Sequence, residues 1–294
     1  LTKPYKSQEL ISRINTHIDL KKAKDIINNQ NEELKQYNLQ LTKSLQYARH
    51  IQEKLLPKDR ILQKYLDDYF IVYIPKHIVS GDFYWLTEQS GLVFLAVIDY
   101  TGHGMPGALM SMIGNTLLNE IIIKNKVHDP AQILHELNIE IIKTLNKGKE
   151  ISEIDNEGMD ISLCVIDKAK KKIKVSCANQ DFFYIQNNKR HKIEGQIISI
   201  GRRFPENGNI NFITHTIDIS QPTFVYLFTD GYQDQFGGPE NKKYQVNNLE
   251  NLLFELHDLT LNEQKQLLQE QFMKWKMEAE QTDDILVIGF KADY

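Results

Sequence analysis

Three hydrophobic patterns follow one another along this chain. From about residue 60 onward, short apolar runs rich in Val, Ile, Phe and Tyr recur between polar turns such as Glu88-Gln89-Ser90-Gly91 and Asn187-Asn188. These runs predict strands over 70–75, 81–87, 92–99, 161–167, 172–178, 182–187, 213–219, 223–229 and 285–290. Stripes at helical spacing, among them Leu117 and Ile121, and Ile133, Leu137 and Ile141, predict helices over 106–124, 130–146, 247–257 and 261–277. The strands come in runs and do not alternate singly with helices. That order predicts an α+β domain over 60–294, with antiparallel sheets packed on each other and helices outside. It argues against a doubly wound parallel sheet.

Residues 20–57 carry a different pattern. No Gly occurs there, no Pro appears before Pro57, and Lys, Asn, Gln and Glu abound. Every seventh position is apolar: Leu20, Ile27, Leu34, Leu41, Ala48 and Leu55. Three residues after these stand Ala23, Gln30, Tyr37, Ser44 and Ile51. A regular a position with a partly polar d position predicts a parallel two-stranded coiled coil, hence a homodimer through residues 20–56. A single surface helix packed on its own domain is the alternative. Pro57 ends the helix.

Residues 1–19 are too few to bury a core. Leu1-Thr2-Lys3-Pro4-Tyr5 reads as a strand end entering a turn, and Ser7 suits the cap of a helix carrying Leu10, Ile14 and Ile18 on one stripe. A Lys-Pro followed by an amphipathic helix resembles the last strand and helix of a response-regulator receiver domain. That resemblance implies an upstream receiver, whose phosphoacceptor part lies outside this sequence. Leu1 in place of Met fits a fragment of a longer protein.

Composition narrows the class. The chain is 41% hydrophobic and 25% charged, with a net charge of -4 and no long block of one sign, so no nucleic-acid partner is expected. It has neither an apolar run long enough to span a membrane nor an opening signal peptide, so no membrane partner and a cytoplasmic location are expected. Cys164 and Cys177 lie in apolar, strand-like runs outside any C-x-x-C pair, which predicts reduced, inert core thiols.

The candidate chemistry is carboxylate chemistry. Ser80-Gly81-Asp82, Ile98-Asp99-Tyr100, Thr229-Asp230-Gly231 and Thr282-Asp283-Asp284 each place aspartate where a strand meets a loop. A carboxylate beside a buried strand is costly unless paired or bound to a cation. Converging carboxylates without a His or Cys cluster suit Mg²⁺ or Mn²⁺. From the residues alone, a hard divalent site and a set of separate turn-formers both remain open. Gly102, Gly104 and Gly107 spell the G-x-G-x-x-G of a dinucleotide loop, but Asp99 would repel a pyrophosphate there. The acidic ribose partner is also missing, since Glu120 falls inside a helix. The nucleotide reading fails. The glycines instead allow a tight turn beside a metal, and Pro106 starts the next helix.

Taken in order, Ser80-Gly81-Asp82-Phe83-Tyr84-Trp85, Asp99-Tyr100-Thr101-Gly102-His103-Gly104-Met105-Pro106-Gly107-Ala108, Thr229-Asp230-Gly231 with Asp234-Gln235-Phe236-Gly237-Gly238, and Asp283-Asp284-Ile285 resemble the motifs of the metal-dependent, type 2C-like protein phosphatases. The likeness is to the SpoIIE/RsbU bacterial branch, and Tyr47-Ala48-Arg49-His50-Ile51-Gln52 with Leu55-Leu56-Pro57 resembles its entry helix. The resemblance implies a four-layer α-β-β-α sandwich of two antiparallel sheets behind a long N-terminal helix. It implies hydrolysis of phosphoserine or phosphothreonine with two Mn²⁺ or Mg²⁺ ions. By motif, Asp99 would bridge the metals, the Tyr100 carbonyl would take the place usually held by a glycine carbonyl, and Asp230 and Asp283 would bind one ion. Asp82 would bind the other ion or its water, and Asp284 would orient a neighbour. The implied substrate is a phosphorylated STAS-type anti-sigma-factor antagonist, with control by the receiver through the dimeric linker. A catalytically inactive adaptor of the same fold is the alternative, and the intact aspartate set argues against it.

Several features keep structural expectations. His103 is read as a loop residue before a proton donor. Asp155-Asn156-Glu157-Gly158 reads as an exposed turn, and Asp160 as a strand start, with an accessory metal contact from Asp160 as the alternative. Gln235-Phe236-Gly237-Gly238 reads as a flexible loop or lid. Gly107 and Gly114 are expected to hinge the helices beside the glycine loop. Ala178-Asn179-Gln180-Asp181 departs from the Ala-Gly-His turn of relatives, and no arginine motif for holding phosphate is apparent, Arg202-Arg203 lying in an unassigned loop.

Overall fold

The computed structural model describes residues 7–102, 104–145, 158–202 and 211–294. His103, Arg203, Asp155-Asn156-Glu157 and the strand end expected at Leu1–Tyr5 lie outside the described residues. The chain divides into two compact units, Leu1–Tyr47 and Ala48–Tyr294. Helix α1 runs Ser7–Leu55 without a break at residue 19 or 20, and Pro57 follows its end. Its heptad residues are bare in the single chain: Leu20, Ile27, Leu34 and Leu41 are 60%, 55%, 57% and 44% exposed. No helix among the described residues is long and apolar enough to cross a membrane.

In the second unit a short helix, α2 (Asp59–Tyr65), precedes strands β1 (Tyr69–Ile74), β2 (Phe83–Gln89) and β3 (Leu92–Tyr100). Helix α3 (Met105–Leu118), a π-helical segment Asn119–Lys124 and α4 (Pro130–Leu145) follow. Next come β4 (Met159–Asp167), β5 (Lys172–Ala178), β6 (Phe182–Gln186), β7 (Lys189–Ile193), β8 (His215–Asp218) and β9 (Thr223–Phe228). The chain closes with β10 (Phe236–Gly237), β11 (Lys242–Lys243), α5 (Val246–Leu256), α6 (Leu261–Lys276) and β12 (Ile285–Ala292).

The strands form two antiparallel five-stranded sheets, ordered β1-β12-β9-β6-β7 and β2-β3-β4-β5-β8. Alternation along each strand explains the layers. On β3, Leu95 and Val97 face the middle layer, where they meet Val225, Leu227, Leu286 and Ile288 of the other sheet. Phe94, Ala96 and Ile98 face outward onto Leu118, Ile122, Leu134 and Leu137 of the α3–α4 side. On the far side, Phe70, Val72, Tyr226 and Val287 pack on Leu249, Leu253, Leu268 and Phe272 of α5 and α6. The result is the four-layer sandwich expected, and it explains why β3 is a continuous apolar run: both of its faces are buried.

Three local features differ from expectation. The helix predicted over 106–124 widens into a π turn at Asn119. The Asn119 side-chain amide donates to the Asn115 carbonyl at 2.9 Å, competing with the backbone ladder, and the Asn125 N–H reaches back to Glu120. Strand β7, Lys-Arg-His-Lys-Ile, was hidden by its charges, which suit a sheet edge. The Gln235–Gly238 stretch is not a flexible lid. Phe236–Gly237 pairs with Lys242–Lys243, Gln235 is fully buried, and the Gly238 N–H bonds the Trp275 carbonyl at 2.8 Å.

Candidate active site

The four aspartate motifs meet at one rim of the sandwich. Phe83 pairs with Ile98, so Asp82 and Asp99 each stand one residue beyond that pair on neighbouring strands. Asp99 pairs directly with Asp160 on β4. From the other sheet, Asp230 follows β9 by two residues, and Asp283 and Asp284 immediately precede β12. The Thr229 N–H bonds the Leu286 carbonyl at 3.0 Å, which keeps those two strand ends together.

Two side chains sew the sheets together here. The Thr229 hydroxyl donates to Asp82 Oδ2 at 2.6 Å and accepts the Leu286 N–H at 3.1 Å. Asp284 is fully engaged: its Oδ1 accepts the Lys76 N–H at 2.7 Å and its Oδ2 the Gly81 N–H at 2.8 Å. It thereby holds the loop that leads to Asp82, while Asp283 Oδ1 accepts the Asp284 N–H at 2.8 Å.

The glycine loop crosses this rim at close quarters. A Cβ on Gly107 would lie 2.5 Å from the Gly102 carbonyl and 2.7 Å from Gly81 Cα, so only glycine lets the start of α3 touch the Ser80–Asp82 loop. Gly102 sits at φ 114, closed to other residues. A Cβ on Gly114 would press on Phe83 and Met159, so this glycine serves close packing of α3 on the sheet, whatever its role as a hinge. The Tyr100 carbonyl lies 3.2 Å from the position of a Gly81 Cβ, beside the Asp82 loop.

The carboxyls perturb one another. Asp82, 2% exposed, is held well above the usual carboxylate range by burial and then by Asp99, with the Thr229 hydrogen bond opposing. Asp99 is also raised, by burial and then by Asp230, Asp160 and Asp283. Asp230 is exposed as a residue, yet loss of water around its carboxyl, then Asp234, Asp283 and Asp160, push it up to about 6. Burial raises Asp160, while the nearby Ser199 hydroxyl, the Asn179 amide and the charge of Arg202 pull it down.

A cavity of about 220 Å³ opens between Asp99, Asp160 and Asp230, with Gln180 and Gln233 in its wall. Among the described residues, no three His, Cys, Asp or Glu side chains already surround a point as metal ligands. Like charges without a cation between them resist closer approach. The donor chemistry nevertheless fits a hard divalent ion, being all oxygen, and Asp160 Oδ1 is buried with no protein partner. Asp160, a strand start with an accessory metal contact as the alternative in the sequence, lines this cavity. Sequence reading missed two contributors. Thr229 stood in a motif without a role. Asn179 turns the chain at φ 51 and donates to Asp160 Oδ2 at 2.7 Å. An Asn at the break between two strong strands was the available signal, because Asn tolerates this left-handed conformation. Cys164 and Cys177 are buried and free, with thiols pushed up by burial, Cys177 to about 12, so they are core residues.

Residues 89–293 match the family of stage II sporulation protein E (SpoIIE). The fold is similar to that of the PP2C domain of SiaA from Pseudomonas aeruginosa, at 28% identity and a TM-score of 0.77, over 87% of this chain and 98% of that one. It is also similar to the PP2C phosphatase domain, with a regulatory-domain fragment, of SpoIIE from Bacillus subtilis, at 16% identity and TM-score 0.58, over 76% of this chain and 62% of that one. The RsbU and RsbW domains of Rv1364c from Mycobacterium tuberculosis match at 14% identity and TM-score 0.59, over 77% of this chain and 60% of that one. No curated protein sequence matches the chain. With seven-tenths of its length inside one family model and the sandwich to go with it, the chain belongs to the SpoIIE family of PP2C-type serine phosphatases of bacterial signalling.

Proposed function

We propose that this chain is an active, Mn²⁺- or Mg²⁺-dependent phosphoserine/phosphothreonine protein phosphatase. The observation that carries the reading is the meeting of Asp82, Asp99 and Asp230 at one rim, each held above the usual carboxylate range first by burial and then by neighbouring carboxylates. A cation placed among such a set favours its charged forms and relieves their mutual repulsion. Asp99, the Tyr100 carbonyl, Asp230 and Asp283, with Asp82, would hold two ions. When bound, these supply Lewis-acid activation and charge neutralisation for phosphoester hydrolysis. Thr229 fixes the Asp82 carboxyl, and Asp284 fixes the backbone before it. The cavity beside Asp99 and Asp160 would receive the phosphorylated side chain.

The substrate we propose is a phosphorylated STAS-type anti-sigma-factor antagonist, with control by an upstream receiver through a dimeric linker. Membership of the SpoIIE family and likeness to a chain that joins RsbU and RsbW domains support the partner class. The bare heptad stripe on α1 supports the dimer. The test is release of phosphate from phosphorylated STAS proteins and from a generic aryl phosphate, with Mn²⁺, with Mg²⁺ and with chelator. Turnover of the aryl phosphate alone would leave the enzyme and remove the substrate. No turnover of either with any metal would favour the inactive adaptor.

A further inference from the structure

Gln52 joins the end of α1 to the loop that carries Asp82. It is the buried residue of α1, at 5% exposure, among the described residues. Its side-chain amide meets both backbone groups of Ser80. Nε2 donates to the Ser80 carbonyl at 2.6 Å, and Oε1 accepts the Ser80 N–H at 3.2 Å. Nε2 also donates to the Ser111 hydroxyl at 2.9 Å, which in turn donates to the Ala108 carbonyl at 2.8 Å in α3. One turn along α3, Asn115 donates to the Leu55 carbonyl at 3.4 Å, at the end of α1.

Ser80 is fully buried and sits just before β2, an edge strand of its sheet. Its backbone pair has no neighbouring strand to bond, and the Gln52 amide takes that place. The Ser80 hydroxyl then accepts the Asp82 N–H at 3.1 Å. Gln52 therefore stands one bonded residue away from the Asp82 backbone. Removing it would strand two buried backbone groups without water to replace it.

We propose that Gln52 is a positioning residue for Asp82, so that the placement of this carboxylate depends on the last turn of α1. The inference rests on the reading of Asp82 as a metal ligand. Gln52 touches neither the reacting groups nor Asp82 itself, and acts through Ser80.

The test uses the full chain with Gln52→Leu and Gln52→Glu, and with Leu62→Ala as a control that weakens the core without a hydrogen bond to the loop. Backbone hydrogen exchange at Ser80–Asp82 and Mn²⁺ affinity by calorimetry are measured, each beside the melting temperature. Gln52→Leu is expected to speed exchange at Ser80 about tenfold or more and to weaken Mn²⁺ binding about tenfold. Gln52→Glu, which keeps the acceptor and loses the donor, falls between, and it serves as the measure if the leucine variant does not fold. Leu62→Ala shifts the melting temperature alone. Unchanged exchange and Mn²⁺ affinity in both Gln52 variants would overturn the proposal, as would equal changes in the control. If the unmodified chain binds no Mn²⁺, the metal reading fails, and exchange at Ser80 still decides for or against Gln52.

Discussion

Asp99 and Asp160 face each other as directly paired residues of adjacent antiparallel strands. Two carboxylates in that relation destabilise a sheet unless something positive or a proton lies between them. Asp160 spends one oxygen on the Asn179 amide and leaves the other buried and unbonded. Asp99 meets Asp230 and Asp283 as well. The rim is thus built at a cost in stability, and the predictions follow from that cost.

Asp99→Asn removes a charge that three other carboxylates oppose. The variant is expected to lose metal-dependent turnover of an aryl phosphate by about a hundredfold or more, because the bridging position proposed for Asp99 would lose its anionic ligand. It is expected to melt higher than the parent without metal. A steady-state assay and a melting curve in chelator check the pair, and a variant that keeps its activity would remove Asp99 from the site.

The sign of the pH dependence follows from the raised carboxyls. Asp82, Asp99, Asp160 and Asp230 all titrate higher in the folded chain than their ordinary value. The folded state therefore holds protons that the unfolded state has released, and stability falls as pH rises. For Asp230 the loss runs from its ordinary value of 3.8 up to about 6, and Asp82 and Asp99, raised by burial, act in the same direction. Asp167, Asp218 and Glu263 are lowered and act with opposite sign only below their ordinary values. In chelator the melting temperature should climb as pH drops from neutrality toward 5, about the middle of that window. Mn²⁺ should flatten the trend, since a cation favours the charged forms. A metal-free melting temperature that falls on mild acidification would contradict this.

Thr229→Val keeps shape and removes the hydroxyl that joins Asp82 to the Leu286 N–H. Leaving these two buried groups unmatched should cost about 1–3 kcal/mol by denaturant titration. Turnover should drop with it, because Asp82 loses its tether. Thr229→Ser, which retains the hydroxyl, should recover most of the activity.

The exposed stripe of α1 predicts self-association. Ile27→Lys with Leu34→Lys places charge on two heptad positions and should convert a dimer into a monomer in sedimentation equilibrium, with aryl-phosphate turnover as the check on folding. A parent chain that sediments as a monomer at all concentrations would end the coiled-coil proposal.

Much of this protein was legible in its sequence. Short apolar runs between polar turns marked nine strands, and helical stripes marked the four helices that flank the sheets, because burial of one or both faces dictates those patterns directly. Asp82, Asp99, Asp230 and Asp283 stood out because a carboxylate at the end of an apolar strand is costly. Elements that bury little were hard to see. Strand β7 looks like a charged loop, α2 is a helix of only two turns, and the π turn hangs on one Asn119 amide.

What the sequence determined is the set of layers and which carboxylates stand at the strand ends, since both depend on residue kind and spacing along one segment. What the tertiary structure decided is which distant groups satisfy one another. The Thr229 hydroxyl meets Asp82, both Asp284 oxygens take backbone N–H groups, and Gln52 holds Ser80 across 28 residues. Hydrogen bonds are short and directional, so they depend on where the folded chain sets two groups side by side. Periodicity reports only which face of an element leaves water. That is why the aspartates could be read in advance and their holders could not.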